Sequence, residues 1–245
     1  MPDAPGFATG LMAVWRGAQL LRRPGIRPYV LAPLAVNVGV FVIGTLLVYR
    51  FLADLVAQWL PPDLAWLGYL LLPLIALAVM LAGFFSFSLV ANLLATPFNG
   101  ALSSAVLREL RGAAGAAPVP GLLEELRLGL MGELGKSLYL LKLTLPALLI
   151  LVVPVVNALG ALVWALLGAW VLSLEYLDCV LGIQARPFPV ALQVAREHRG
   201  MALGLGAGVA LLTAIPVLNF LAMPIGVAAA TVLYDEHLRA SPGGH

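Results

Sequence analysis

The sequence predicts an all-α integral membrane protein, because charged residues are absent from four long stretches of the chain. No Asp, Glu, Lys or Arg occurs between Arg27 and Arg50, Asp63 and Arg108, Lys142 and Glu175, or Arg199 and Asp235. Hydrophobic residues make up 62% of the chain and charged residues 11%, against roughly 45–50% and about 25% in soluble domains. A bilayer takes ~20 apolar residues per helical span. We therefore expect residues 1–245 to form a single membrane domain with two long transmembrane helices, two re-entrant helical hairpins and an N-terminal amphipathic helix.

Composition argues against several other functions. The net charge of +2 is too small to indicate nucleic-acid binding, and the single cysteine, Cys179, can form neither an intramolecular disulfide nor a metal framework. The histidines lie outside the apolar stretches without metal-ligand spacing, and the sequence has no phosphate-binding loop that would couple it to ATP. We expect no cofactor, no metal, no catalytic residues, no enzymatic activity and no nucleic-acid partner.

The first 27 residues predict a basic amphipathic helix that lies at the membrane interface. No early apolar core with a small-residue cleavage site is present, so no cleaved signal peptide is expected. A disordered tail is the alternative. The residues that mix apolar and basic character are Phe7, Leu11, Val14, Trp15 and Leu20, together with Arg16, Arg22 and Arg23.

The first two apolar stretches predict transmembrane helices over 28–50 and 64–96. The first begins at a proline, which is favoured at the first helical position. The second follows Pro61-Pro62-Asp63, another helix-start signal, and ends at the break Pro97-Phe98-Asn99-Gly100. It is longer than the bilayer core at ~1.5 Å per residue, so we expect it to tilt or to project beyond the membrane. A helical cytoplasmic segment is expected over 97–142.

The stretches 143–174 and 200–234 predict two re-entrant hairpins. Each is too long for one span and too short for two spans of ~20 residues. Each carries a central P-x-x-N break, Pro154–Asn157 and Pro216–Asn219, because proline removes a helical hydrogen bond and asparagine supports a turn. Irregular backbone at membrane depth persists only where it is buried or lines a wet cavity, so the repeated breaks indicate a permeation path. Two kinked single spans are the alternative.

The distribution of basic residues favours the hairpin arrangement. With two crossings and two hairpins, every Lys and Arg except Arg50 lies on one side of the membrane. With four crossings, Arg186, Arg196 and Arg199 join Arg50 on the other side. The positive-inside bias therefore favours two crossings, with both termini in the cytoplasm.

Four separated motifs resemble those of the CysZ sulfate permease family. Ala95–Gly100 is similar to the family's A-P-F-N-G signature, and Pro24–Arg27 is similar to the P-G-[IL]-R that precedes its first transmembrane helix. The other two are Glu175–Asp178 with the later Pro187-Phe188, which look like the family's Y-x-D and P-F, and Ile215–Asn219 with Met223-Pro224, which look like its I-P-x-x-N…M-P hairpin.

The resemblance implies a multi-pass protein of the bacterial cell inner membrane that imports sulfate for cysteine biosynthesis. It also implies two long helices, hemi-penetrating hairpins and assembly as a homo-oligomer in the lipid bilayer. Two departures leave the selected oxyanion open. Pro28 stands where the family often has a second basic residue, and Ser103-Ser104 stand where many members have an acidic residue.

Residues 22–27 form a candidate anion site at the start of the first transmembrane helix. Unpaired N–H groups and the positive end of the helix dipole favour an anion there, glycine permits close approach, and arginine supplies a forked donor. Sulfate has no proton to donate at neutral pH, so a site made only of donors suits it. Anchoring to anionic lipid headgroups is the alternative. The candidate residues are Gly25, Ile26, Arg27, Arg22 and Arg23.

Five polar residues near the breaks are candidates for lining the pathway or for structural roles. Asn99 either lines the pathway or caps a helix, and Asn157 and Asn219 either contact a passing anion or satisfy exposed backbone at the hairpin tips. For Glu175 and Asp178 we favour a structural pairing with Arg186 or Arg196 over a proton relay.

No carboxylate falls within the four apolar stretches, whereas proton-coupled transporters usually carry one there. The leading hypothesis is therefore a channel-like or facilitative sulfate permease. A non-transporting membrane scaffold whose hairpins shape lipid or hold partners is the second hypothesis, and an intramembrane enzyme is the third.

Overall fold

The computed structural model describes residues 5–59, 67, 73–75, 77, 98–112, 135–148, 160–184 and 186–238. Every regular element in this part of the chain is helical, as the sequence predicts. The chain divides into two compact units, one formed by Met1–Tyr29 with Asn99–His245 and the other by Val30–Phe98. Within the described residues, three helices are long and apolar enough to cross a membrane: Arg27–Leu55, Gly160–Ile183 and Leu218–Leu238.

The helices are numbered here in chain order. They are α1 (Phe7–Leu20), α2 (Arg27–Trp59), α3 (Gly160–Ile183), α4 (Phe188–Glu197), α5 (Arg199–Thr213) and α6 (Pro216–Leu233), which continues into a π-helical turn, Tyr234–Leu238. Residues 98–111 and 135–148 are also helical, and are called segment 98–111 and segment 135–148.

Helix α2 contains the first predicted crossing, 28–50, and extends beyond it to Trp59. Its side chains are apolar on all sides and largely exposed, including Leu31 at 58% and Leu47 at 63%. A helix that is hydrophobic all round and not packed in a protein core fits a lipid environment. The second predicted crossing, 64–96, lies almost entirely outside the described residues.

The N-terminal segment is a helix, as predicted, rather than a disordered tail. One face of α1 is buried and consists mostly of small residues: Gly10, Ala13, Val14, Gly17 and Leu20. The opposite side exposes apolar residues: Phe7, Leu11, Met12 and Trp15. The apolar residues of α1 are therefore divided between packing against the protein and facing outward.

Small residues let α1 lie directly on α5 and α6. A Cβ on Gly10 or Gly204 would collide with the backbone of the facing helix, and a Cβ on Gly17 would come within 2.8 Å of the Ile225 carbonyl oxygen. Close backbone approach through glycine is typical of helix contacts in membrane proteins.

The chain reverses direction between α5 and α6. A Cβ on Gly208 of α5 would lie 2.8 Å from Val14 Cγ2 of α1. Ala229 of α6 lies against Gly17, only one turn further along α1. In one continuous helix, Gly208 and Ala229 would be ~30 Å apart, whereas the two α1 residues are ~5 Å apart along their axis. Helices α5 and α6 therefore lie side by side, and Pro216 is the first residue of α6.

Segment 135–148 and α3 also lie side by side and run in opposite directions. Trp170 Nε1 donates to Tyr139 Oη at 3.0 Å. Lys136 Nζ lies 3.0 Å from Glu175 Oε2. Because the earlier residue of one segment meets the later residue of the other, the two are antiparallel.

The boundaries of the predicted hairpins differ from the observed helices. The helices around the predicted 143–174 hairpin include residues 135–142, before its expected start, and continue past its expected end to Ile183. In the second, the turn precedes Pro216 instead of covering Pro216–Asn219, because the Asn219 N–H donates to the Ile215 carbonyl at 2.8 Å within the first helical turn. The Pro154–Asn157 break lies outside the described residues.

Helix α4 connects the two pairs of antiparallel helices. Its buried residues, Phe188, Ala191, Val194 and Ala195, form one face. Pro187 precedes the helix in an extended conformation, with φ at −72°, near the value that its ring fixes. Tyr176 of α3 packs against α6, where a Cβ on Gly226 would lie 2.6 Å from its ring.

Candidate functional site

The turn between α1 and α2, residues 22–27, presents three arginines at the start of a membrane-length helix. Arg22, Arg23 and Arg27 are exposed, and so is Gly25. Ile26 is fully buried at 0% exposure, so its side chain fixes the turn to the protein. We call residues 22–27 the arginine turn.

The sequence predicted unpaired backbone N–H groups in the arginine turn, but two of these groups are hydrogen-bonded. The N–H groups of Ile26 and Arg27 both point at the Arg23 carbonyl, at 3.0 and 3.1 Å, and the Tyr29 N–H donates to the Ile26 carbonyl at 3.0 Å. The helix starts with a tight hydrogen-bonded turn instead of open donors. The groups that an anion would meet first are the guanidinium groups and the exposed backbone of Gly25.

One arginine of the turn is paired with a carboxylate. Arg23 Nη1 donates to Glu109 Oε1 at 2.6 Å, with 53% and 34% of the two side chains exposed. The other Glu109 oxygen lies over the turn, because a Cβ placed on Gly25 would be 3.6 Å from Glu109 Oε2. Arg22 and Arg27 form no ion pair with any described residue. The arginine turn therefore keeps an excess of positive charge.

Segment 98–111, which carries Glu109, is attached to α6 and the following π-helical turn. Ser103 and Thr231 are buried and their hydroxyls are 2.9 Å apart. Because the Thr231 hydroxyl donates to the Val227 carbonyl at 2.7 Å, we infer that Ser103 donates to Thr231. Arg111 forms an ion pair with the Asp235 carboxylate and donates to its carbonyl at 2.9 Å. The serine that departs from the family pattern thus has a packing role.

A second charged cluster lies between segment 135–148 and α3. Lys136 Nζ lies 3.0 Å from Glu175 Oε2 and 3.6 Å from Asp178 Oδ2. The lysine is buried, with 7% of its side chain exposed. The sequence predicted that these carboxylates pair with Arg186 or Arg196, and in the described residues their partner is Lys136 instead. The cation of this pairing comes from the antiparallel neighbour, and the structural role of the two carboxylates stays a prediction.

Arg196 contacts an aromatic ring, whereas the sequence predicted it as a possible partner of Glu175 and Asp178. Its guanidinium carbon lies 5.7 Å from the centroid of the Tyr139 ring. That ring also packs at 6.1 Å from the Phe188 ring. The arginine thus ties α4 to segment 135–148 by a cation–π contact.

The three candidate asparagines lie in different surroundings. Asn99 is helical and half-buried at the start of segment 98–111, so the residues directly after Pro97 are helical. Asn219 is exposed in the first turn of α6, and its side chain makes no hydrogen bond to any described residue. Asn157 lies outside the described residues. Whether these residues line a pathway stays a prediction.

Sequence reasoning missed two residues of these clusters. Neither Glu109 nor Lys136 was singled out. A charged residue that directly follows a long apolar stretch is ordinary at a membrane surface, so Glu109 gave no distinctive signal. Lys136 stands in a stretch with other charges, and only the antiparallel packing makes it buried.

In the described part of the chain, three helices are able to cross a bilayer and an arginine-rich turn stands at the start of the first, which indicates a helical membrane protein with a candidate anion site. A family model described as "Sulfate transporter CysZ/Etoposide-induced protein 2.4" matches residues 13–224. The chain belongs to this family.

Several curated relatives are similar along nearly the whole chain, and each is named "Sulfate transporter CysZ". The protein from Vibrio cholerae serotype O1 is 33% identical over 225 residues, which cover 89% of both chains. The one from Vibrio parahaemolyticus serotype O3:K6 is 32% identical over 233 residues, 92% of this chain and 94% of the relative. The one from Pseudomonas syringae pv. tomato is 34% identical over 238 residues, 92% and 91%.

Proposed function

We propose that this protein is a sulfate permease that imports sulfate across the bacterial inner membrane for cysteine biosynthesis. The observation that carries the proposal is similarity, over 89–92% of the chain, to proteins named as sulfate transporters. The arginine turn supports it, because that turn offers charged donors and a glycine backbone to an oxyanion. A scaffold that holds lipid or partner proteins needs no such site.

Sulfate binds the guanidinium groups of Arg27, Arg22 and Arg23 at the start of α2. Guanidinium forks match two oxygens of an oxyanion at once, and the positive end of the α2 dipole adds to the attraction. Gly25 lets the anion approach the backbone, and Ile26 holds the turn in place through its buried side chain. Transport is channel-like or facilitative, since the sequence has no phosphate-binding loop for ATP and no carboxylate within the four apolar stretches for a proton relay.

The two pairs of antiparallel helices are re-entrant hairpins, with α4 on the same side as both termini. Two contacts support this topology. Gly200, at the start of α5, lies against the backbone of Gly6 and Phe7. Arg16 of α1 pairs with Glu236, after α6, at 2.6 Å. The start of α5 and the end of α6 therefore lie beside the same N-terminal helix, as expected when the intervening chain enters the bilayer and returns.

Cysteine labelling tests this topology. A single cysteine at Gln193, in an otherwise cysteine-free chain, should react with a membrane-impermeant reagent from the same side as a cysteine at Gly6. Arg50→Cys serves as the control that reacts from the other side. Labelling of position 193 together with position 50 would exclude the re-entrant arrangement.

The protein assembles as a homo-oligomer through contacts that include the α5–α6 tip. The tip is apolar and exposed, with Leu211 at 65% and Phe220 at 74%, and the Asn219 amide beside them makes no hydrogen bond to any described residue. An unpaired polar group at membrane depth costs several kcal/mol, which a second copy would offset. Native mass measurement in mild detergent should give an oligomer, and a monomer that transports sulfate at the full rate would contradict it.

Flux into liposomes tests the function itself. Purified protein reconstituted into liposomes should admit radiolabelled sulfate faster than protein-free liposomes. Arg27→Ala should reduce the initial rate strongly at low sulfate concentration. Arg199→Ala is the matched control, because Arg199 is also an exposed arginine at the start of a helix. Equal flux with and without protein would refute the permease proposal.

A further inference from the structure

The arginine turn already holds an anion, and that anion belongs to the protein. The Glu109 carboxylate places one oxygen 2.6 Å from Arg23 Nη1. Its second oxygen lies above Gly25, at 3.6 Å from where a Cβ would stand. A carboxylate and a sulfate both present oxygens that accept charge-assisted hydrogen bonds from a guanidinium group. Glu109 thus occupies the part of the turn that an oxyanion would use.

The ion pair between Arg23 and Glu109 is one in which another anion can replace the carboxylate. Both side chains are well exposed, at 53% and 34%, and ion pairs in such solvated positions contribute little to stability. A competing anion can displace the carboxylate without leaving a buried charge unpaired.

Glu109 is nevertheless held close to the turn whether or not it is bound. Its helix is attached to α6 by the buried Ser103–Thr231 hydrogen bond. Beyond Glu109, Arg111 pairs with Asp235. Arg108, the preceding residue, donates to Tyr29 Oη at 3.1 Å, just beyond the arginine turn. A carboxylate tethered in this way returns to Arg23 as soon as the site is empty, because its effective concentration there is high.

We propose that Glu109 is a tethered competitor for the sulfate site, and this rests on the proposed sulfate binding at the arginine turn. With Glu109 docked on Arg23, the cations of Arg22 and Arg27 are left without an ion pair among the described residues, and they attract the dianion. Sulfate then takes Arg23 from Glu109. The return of the carboxylate afterwards helps sulfate to leave, and it excludes anions that bind too weakly to displace it.

Sulfate titrations at constant ionic strength test the competition, because exposed pairs are screened by salt. Glu109→Gln should bind sulfate about three- to fivefold more tightly, since an exposed pair of this kind contributes at most about this factor. Glu109→Asp keeps the charge on a side chain shorter by one methylene, so it should give part of the gain. In an Arg23→Gln background, Glu109→Gln should give no further gain.

Glu236→Gln is the matched control. Glu236 also pairs with an exposed arginine, Arg16, at 2.6 Å, and 32% of its side chain is exposed. Glu236→Gln changes the net charge by the same amount as Glu109→Gln but should leave sulfate affinity unchanged. An equal gain in Glu109→Gln and Glu236→Gln would overturn the proposal, because the effect would then be one of overall charge.

The two proposals fail in different ways. If the wild type binds sulfate and Glu109→Gln binds it with the same affinity, Glu109 is not a competitor, and the proposed sulfate site stands. Absence of binding in the wild type and in every variant would refute the sulfate site itself, and the competitor with it. Size-exclusion profiles and thermal unfolding of each variant confirm that the titrated protein is folded.

Discussion

The arginine turn and the Lys136 cluster both pair cations with carboxylates, but the cation is exposed in the first and buried in the second. The Arg23–Glu109 pair is the shorter, at 2.6 Å, and both partners face solvent. Lys136 lies 3.0 Å from Glu175 and 3.6 Å from Asp178, and its own side chain is 7% exposed. The shorter pair is the one that water and salt weaken most, since exposed pairs are screened more strongly than partly buried pairs.

The difference assigns the two clusters to different roles. An ion pair is costly to break when the partner left behind has little access to water, and Asp178 is such a partner, with 18% of its side chain exposed. The Lys136 cluster therefore holds segment 135–148 against α3. The arginine turn has surplus positive charge and an exchangeable partner, which are the properties of a site that binds and releases an anion.

The largest expected effect is on stability, from loss of the buried cation. Lys136→Met should lower the free energy of unfolding by about 3 kcal/mol, at the low end for a broken buried pair because Glu175 is half exposed. The folded fraction should bind sulfate as the wild type does. Thermal unfolding in detergent, followed by size exclusion, measures the first effect, and titration measures the second.

Lys142→Met is the control for this substitution. Lys142 is on the same segment but exposed, so its replacement should change the melting temperature little. An equal loss in both variants, or a loss of sulfate affinity in folded Lys136→Met, would remove the contrast between the two clusters.

The next effect is on sulfate binding at the arginine turn. Arg27→Ala should weaken sulfate binding about ten- to a hundredfold, because a hydrogen bond to a charged group contributes roughly 1.5–3 kcal/mol. Arg27→Lys should recover only part of the loss, since an ammonium group keeps the charge and loses the fork. Titrations in detergent without anionic lipid are the measurement. Full recovery by lysine would instead favour lipid anchoring at this turn.

The smallest expected effect concerns the attachment of the helix that carries Glu109. Ser103→Ala should cost ~1 kcal/mol of stability, the usual contribution of a neutral hydrogen bond. Thr231 keeps its own bond to the Val227 carbonyl, so no buried donor is left unpaired. Ser104→Ala is the control, because Ser104 is half-buried and makes no hydrogen bond to any described residue. Equal melting temperatures for the two variants would show that the buried bond contributes nothing to this attachment.

Much of the fold could be predicted from the sequence, because hydrophobicity and helix-breaking residues act locally. The uninterrupted apolar stretch after Arg27 predicted α2, and the predicted break at Pro216–Asn219 lies directly after the observed turn, within the start of α6. The mixture of apolar and basic residues predicted α1. The bounds of the helices in the antiparallel pairs were less predictable. Segment 135–148 includes charged residues, and the sequence alone does not show how these residues pack.

The candidate site was predicted only in part, for the same reason. Arginines next to a glycine at a helix start are visible in sequence, and so is the family resemblance that the comparisons confirm. The hydrogen bonds of Ile26 and Arg27 to the Arg23 carbonyl depend on the local backbone path. The partner of Arg23 lies far along the chain, and nothing in the spacing of the two residues identifies it.

The sequence by itself determined that this chain is helical, lies in a membrane and presents arginines at the start of α2, because transfer of apolar side chains to lipid depends on composition along a segment. Only the tertiary structure decided which charges meet. It placed Glu109 on Arg23 and buried Lys136 between two carboxylates. An ion pair depends on distance in space and on access to water, and both are properties of packed helices that no short stretch of sequence contains.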